Sequence, residues 1–318
     1  MPYLQNNMQR NIAIDIFRLV ASFFVICIHA PFITWGLNPI YKCAVPFFCI
    51  LTGYYLNIEN SSYKQLSKRI LKYLKILGIA VAAYFLLAFI DNYDIEAPNL
   101  LDLFLYNSFG FINASHLWYL LALAISIGII CLFKFLRAPW LVYLFIPLII
   151  VSPLGKYNTL PELPNLISHY DANWILTTMP YIAVGMALRK INLNTLKSRW
   201  CFIISIVALI VTLAESYFLG AALNPKSAVY LGTPFYTIFG FLFLLSLNIP
   251  ATPALTLFAD FCRRSSLIIY VWHYFIINVM KDLGIYNMIQ PFATAVVLIM
   301  MFAIMQVPQL LAYAKARI

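Results

Sequence analysis

Charge is scarce in this chain, and that scarcity excludes most protein classes. Charged residues make up 10% of the 318 residues and hydrophobic ones 63%, whereas soluble proteins carry about a quarter charged residues. Mean hydropathy is +0.86, which excludes a soluble domain. Short segments of alternating polarity are also lacking, which excludes a β-barrel; long unbroken apolar runs stand in their place. The cysteines (Cys27, Cys43, Cys49, Cys131, Cys201 and Cys262) form no CxxC pair and no disulfide framework, so they read as structural thiols. No HExxH motif or His/Cys cluster points to a metal. No Walker or Rossmann glycine pattern points to ATP hydrolysis or hydride transfer. No internal repeat supports a transporter built on inverted repeats. The first apolar run has no small-residue cleavage site, so it reads as a retained span rather than a signal peptide.

What is present is apolar sequence in lengths that suit a bilayer about 30 Å thick. The expected fold is all-α, a polytopic bundle of about ten transmembrane helices. They fall near 12–34, 39–57, 73–90, 116–135, 139–155, 173–189, 200–219, 230–248, 265–281 and 291–313. The fifth is short and interrupted by Pro147 and Pro153; Pro46 is expected to kink the second. If these spans alternate, the basic residues fall almost wholly on one side. Only Lys42, Lys156, Lys226 and Lys281 lie opposite, with Arg18 inside a span. The positive-inside rule then sets both termini in the cytoplasm, with the acidic 91–115 loop (Asp91, Asp94, Glu96, Asp102) outside. This topology accounts for the net charge of +10 without nucleic acid. The location expected is a bacterial plasma membrane, crossed many times.

The first span, NIAIDIFRLVASFFVICIHAPF, holds Arg18 and His29. A guanidinium in hydrocarbon costs at least a few kcal/mol, so an ionisable residue there reads first as functional. Eleven residues turn a helix through about 1100°, about 20° past three full turns. Arg18 and His29 therefore share a face, roughly 16 Å apart along the axis. Asp15 and Ser22 fall near the same line, giving a polar stripe Asp15–Arg18–Ser22–His29. In the plain alternative, His29 is a packing histidine and Arg18 only neutralises Asp15 at i, i+3. The functional reading makes a neutral His29 the general base on a hydroxyl and Arg18 an anion ligand.

Three further places carry polar groups in apolar surroundings. HLWYLLAL brings His116, Trp118 and Tyr119 to an interface, where an aromatic belt alone explains the last two. RRSSLIIYVWHYFII sets Ser266, Tyr270 and His273 on one helix face, below Arg263 and Arg264, which the positive-inside rule explains. Glu215 ends the seventh span, at about the depth of His29, where it is either solvated or orients the imidazole.

In this order, these segments resemble the acyltransferase-3 family of membrane O-acyltransferases over nearly the whole chain. The carriers are the Arg18–His29 spacing preceded by Asp15, Val45 to Tyr54, His116 to Leu120, and Ser266, Tyr270 and His273. Within the family the chain is most similar to the membrane domain of vancomycin-resistance-type serine racemases. IDIFRLVA, AVPFFCILTGYY, HLWYL, Glu215 with Tyr217, and NPKS with Tyr230 carry that likeness. The expectation is one integral membrane domain over 1–318, truncated before a cytoplasmic racemase domain. Racemisation and pyridoxal phosphate are not carried over to it.

The resemblance implies transfer of an acyl group, acetyl above all, from cytoplasmic acyl-CoA to a hydroxyl acceptor at the outer face, a sugar or L-serine. His29 and Glu215 would then be catalytic. Arg18, Asp15 and Ser22 would hold the CoA arm; His116, Trp118, Tyr270 and His273 would bind acceptor. No metal is implied. The alternatives are a domain that transports or delivers L-serine along the same stripe, and a plain membrane anchor. An anchor leaves Asp15, Arg18 and His29 unexplained.

Overall fold

The computed structural model describes residues 11–30, 37–95, 97, 99–154, 173–192, 197–220, 229–290 and 292–315, apart from the side chains of Asp102 and 307–315. Arg10, Glu96, Lys156, the NPKS segment with Lys226, and Arg317 lie outside the described residues. All regular structure described is helical. In chain order the α-helices are α1 (Ile12–His29), α2 (Asn38–Tyr41), α3 (Ala44–Tyr54), α4 (Tyr63–Ile90), α5 (Leu100–Leu105), α6 (Trp118–Phe135) and α7 (Leu148–Leu154). They continue with α8 (Met179–Leu188), α9 (Ser198–Leu219), α10 (Gly232–Ser246), α11 (Pro253–Asp282), α12 (Ile285–Ile289) and α13 (Ala293–Lys315). A single π-helical turn, Trp174–Thr178, leads into α8, and a 3-10 turn, Ser115–Leu117, leads into α6.

The bundle is membrane-spanning, but the expected count of about ten spans is wrong. Among the described residues, four helices are long and apolar enough to cross: Ile12–His29, Tyr63–Ile90, Ser115–Phe135 and Ser198–Leu219. A crossing needs about 20 residues of helix, and the other expected spans break up. The second divides at Lys42 and Cys43 into α2 and the eleven-residue α3. Pro46 sits in the first turn of α3, where its missing N–H is not needed, so it begins a helix instead of kinking one. Pro139–Leu154, Trp174–Leu188, Gly232–Ser246 and Ala293–Gln306 are apolar but short. Helix α11 is long enough but carries Asp260, Arg263, Arg264 and Lys281. The alternation that set both termini in the cytoplasm depended on ten spans and falls with that count.

Burial separates the four long helices into two kinds. Only about a fifth of the apolar stretch of α4 or α9 is covered by protein. Both present rows of exposed large apolar residues, such as Ile79, Leu86 and Phe89 on α4, and Val207, Ile210 and Val211 on α9. Apolar exposure of that extent suits lipid, not water. Helix α1 and the span ending α6 are about half covered and lie toward the middle. The chain is a multi-pass protein of the plasma membrane.

Helix α1 is fixed at its start by Asn11. The Asn11 side chain accepts from the N–H of Ile14 at 3.0 Å and donates to the carbonyls of Leu244 and Leu245 at 3.3 and 3.2 Å. One residue thus caps α1 and ties it to the end of α10. Along its length α1 packs chiefly on α11, α3 packs on α8, and α4 packs on α6. The α3–α8 crossing needs two glycines. A Cβ on Gly53 would overlap the Ile182 carbonyl, and one on Gly185 would overlap the Ile50 carbonyl, so the two backbones touch. Gly53→Ala and Gly185→Ala are each expected to destabilise the protein by about 1–3 kcal/mol, as overpacking does. Thermal unfolding in detergent measures this, and unchanged melting of both variants would contradict the crossing.

Candidate functional site

The site is built on α1, α3, α4, α6, α11 and the 3-10 turn that leads into α6. Asp15 is buried at 3% exposure, and its Oδ1 lies 3.1 Å from Nε of Arg18, one turn further on. The Arg18 side chain keeps 19% exposure because it borders a cavity. Ser22 donates to the Arg18 carbonyl at 2.8 Å and lies 3.4 Å from the carbonyl of Ser266, so it joins α1 to α11.

The cavity encloses 260 Å³. At its mouth stand Arg69 and Lys72 of α4 and Arg263 of α11, all exposed, with Arg18 further in. The inner end is aromatic and apolar, formed by Tyr73, Tyr119, Leu123, Leu267 and Tyr270. Four cations converging on one opening favour an anionic guest, and Arg18 and Arg69 offer the fork that suits phosphate.

Beyond that inner end lie three imidazoles from three parts of the chain. The His29 ring is centred 5.2 Å from that of His273 and 6.1 Å from that of His116; the latter two are 5.2 Å apart. Tyr274 closes the group, 5.0 Å from His29 and 5.2 Å from His116. His116 and His273 are buried, and His29 is half-buried.

Hydrogen bonds fix where the protons sit in two of these rings. Nδ1 of His273 lies 2.8 Å from the carbonyl of Tyr270 and 3.1 Å from that of Ile269. A carbonyl only accepts, so Nδ1 carries the proton and Nε2 of the neutral ring keeps a lone pair. Nε2 of His116 lies 3.1 Å from the carbonyl of Val271 and 3.2 Å from the Tyr84 hydroxyl, which itself donates to Val271 at 3.1 Å. In this ring the lone pair is on Nδ1. Neither lone-pair nitrogen has a partner among the described residues. Buried acceptors without partners cost free energy, and they are what a hydroxyl proton needs.

The site-residue expectations divide by location. Arg18 lines the cavity with Asp15 and Ser22 in contact behind it, His29, His116 and His273 meet in the imidazole group, and Tyr270 stands between the two. Its hydroxyl donates to the His116 carbonyl. Trp118 is turned toward Tyr119, 6.0 Å away between ring centres, and makes no described ring contact with His29, His116 or His273. Glu215 is buried but occupied elsewhere. Both its oxygens accept from the N–H of Leu231, at 3.1 and 3.3 Å, at the start of α10. No described hydrogen bond joins Glu215 to His29.

The sequence reading missed Arg69 and Lys72, which it assigned to a basic loop, and it dismissed Arg263 as a topology signal. The spacing of Arg69 and Lys72 at i, i+3 was the available clue, since such residues share a helix face. Tyr84 was missed because a single tyrosine in an apolar run carries no periodic signal; it is buried at 1% exposure. Breaking the Asp15–Arg18 pair tests its role in holding α1. Asp15→Ala is expected to cost about 3 kcal/mol in unfolding by leaving the guanidinium unneutralised. Asp15→Ala combined with Arg18→Met should recover most of that loss. Equal stability of Asp15→Ala and the native protein would contradict a buried pair.

Comparisons with known proteins bear on the family of the chain. Residues 11–308 match the family described as an acyltransferase domain. The chain is 26% identical over 308 residues to a protein named amino-acid racemase from Enterococcus faecalis, covering 86% of this chain and 42% of that protein. It is 26% identical over 269 residues to a serine/alanine racemase from Enterococcus gallinarum, covering 74% of this chain and 37% of that protein. The chain thus spans less than half the length of these relatives. No solved structure matches it. The match over nearly all the described bundle, including α1 with Arg18 and His29, shows that the chain belongs to the acyltransferase-3 family of membrane proteins.

Proposed function

We propose that this chain is an acyl-CoA-dependent O-acyltransferase that moves a short acyl group, acetyl, to a hydroxyl acceptor. The observation that carries the reading is the pairing of a cation-lined cavity with a group of three imidazoles on the same helices. Arg18, held by Asp15, donates to an amide carbonyl of the pantetheine arm, and Arg69, Lys72 and Arg263 receive the phosphates of CoA at the mouth. Basic residues gather at that end, so the positive-inside rule supports a cytoplasmic mouth and transfer toward the outer face.

In the reaction His29 takes the proton of the acceptor hydroxyl as its oxygen attacks the thioester carbonyl. The new C–O bond forms, the C–S bond breaks, and the proton passes to the leaving thiolate. The unpartnered nitrogens of His116 and His273 orient the acceptor, and the Tyr270 hydroxyl fixes the His116 backbone beside it. Trp118 supports Tyr119, and Glu215 acts at a distance as the cap of α10.

A second reading is favoured by the racemase names of the two relatives. L-serine would enter the same cavity, as acceptor or as cargo for a racemase domain. Uptake of labelled serine by proteoliposomes without acyl-CoA would support delivery over transfer. The acyltransferase reading predicts that purified protein binds labelled acetyl-CoA and releases free CoA. His29→Ala should slow that release about 100-fold or more, within the range for loss of a general base. Arg18→Ala should weaken binding. Absence of both binding and release, with neither variant changing anything, would refute it.

A further inference from the structure

The cavity along α1 stops short of the imidazole group. None of the three imidazoles lines the cavity. Between them stand Tyr119 of α6 and Tyr270 of α11, which do line it, with 4% and 3% exposure. Their rings meet edge to face at 5.1 Å between centres. The ring of Tyr270 is centred 6.1 Å from His116 and 6.2 Å from His273 on the far side. Its hydroxyl is tied to the His116 carbonyl, which holds the ring across the gap. Leu123 and Leu267 complete the same end of the cavity. An arm that enters between the cations therefore meets an aromatic wall one ring thick, with the imidazoles directly behind it.

We infer that Tyr119 and Tyr270 select the acyl group by length, admitting the smallest groups to the imidazoles and refusing longer chains. The inference rests on the acyl-CoA reading above and adds to it the residues that set donor specificity. The wall is closely packed and both rings are buried, so each added methylene of an acyl chain needs space that only a ring movement supplies. Overpacking of that kind is unfavourable. Removal of one ring opens space of about the size of a short alkyl chain, next to Leu123 and Leu267.

The test compares kcat/KM for acetyl-CoA and octanoyl-CoA, measured as free CoA released by the full chain in detergent, with water as acceptor. The native protein should favour acetyl at least tenfold, the lower end of what one or two methylenes cost in a fitted pocket. Tyr119→Ala and Tyr119→Leu should each shift the octanoyl-to-acetyl ratio upward by at least tenfold. Native protein that uses octanoyl-CoA as well as acetyl-CoA overturns the inference, whether or not the Tyr119 variants fold. An unchanged ratio in folded Tyr119 variants also overturns it, while the acyltransferase reading stands. No release from any acyl-CoA by the native protein overturns both.

Discussion

Asp15 and Arg18 sit one turn apart in α1, a helix about half covered by protein, and much of the local architecture follows from the need to satisfy them. Two charges taken from water cost several kcal/mol each unless they meet each other and further polar partners. Helix α1 supplies the mutual contact through its own periodicity, Nε to Oδ1 at 3.1 Å. Further bonds hold the backbone that carries the pair. Ser22 bonds the Arg18 carbonyl and reaches Ser266, and Asn11 fastens the start of α1 to the end of α10. With its backbone held at two points, α1 directs the guanidinium into a cavity that α4 and α11 furnish with further cations. An arginine that only neutralised an aspartate would need no such cavity.

The imidazole group shows the same economy of means. Its members come from the end of α1, the 3-10 turn before α6, and the middle of α11. Backbone carbonyls of α11 set the proton positions in both His116 and His273. A carbonyl of one helix thus governs the chemistry of a ring on another, because the 3-10 turn carries His116 against α11. The lone pairs left over are buried without partners among the described residues. Stability alone does not favour that arrangement, whereas a site for a hydroxyl does.

Membrane embedding and helical class were legible in composition, and the polar stripe of α1 was legible in a single spacing. The number of crossings was not. Hydropathy over 39–57 does not reveal that the chain turns at Lys42 and Cys43, and hydropathy over 173–189 does not reveal a π turn followed by a ten-residue helix. Short helices stacked end to end read as one span because apolarity reports the surroundings of a segment rather than its continuity. The site was half legible. Residues on one helix, such as Ser266, Tyr270 and His273, declared themselves by periodicity. Contacts between helices did not: depth aligned Glu215 with His29, yet Glu215 caps α10. Arg69, Lys72 and Arg263 looked like topology signals because a cation that orients a chain and one that binds a ligand have the same sequence signature.

The central claim is that the buried ion pair and the cations around it form the seat of a CoA arm whose reactive end lies against the tyrosine wall. An experimental structure determined with CoA present tests this most directly. Ligand density should enter between Arg69, Lys72 and Arg263, pass Arg18, and end at Tyr119 and Tyr270. Density for CoA on any other surface of the bundle, with the Arg18 cavity empty at saturating ligand, would contradict it.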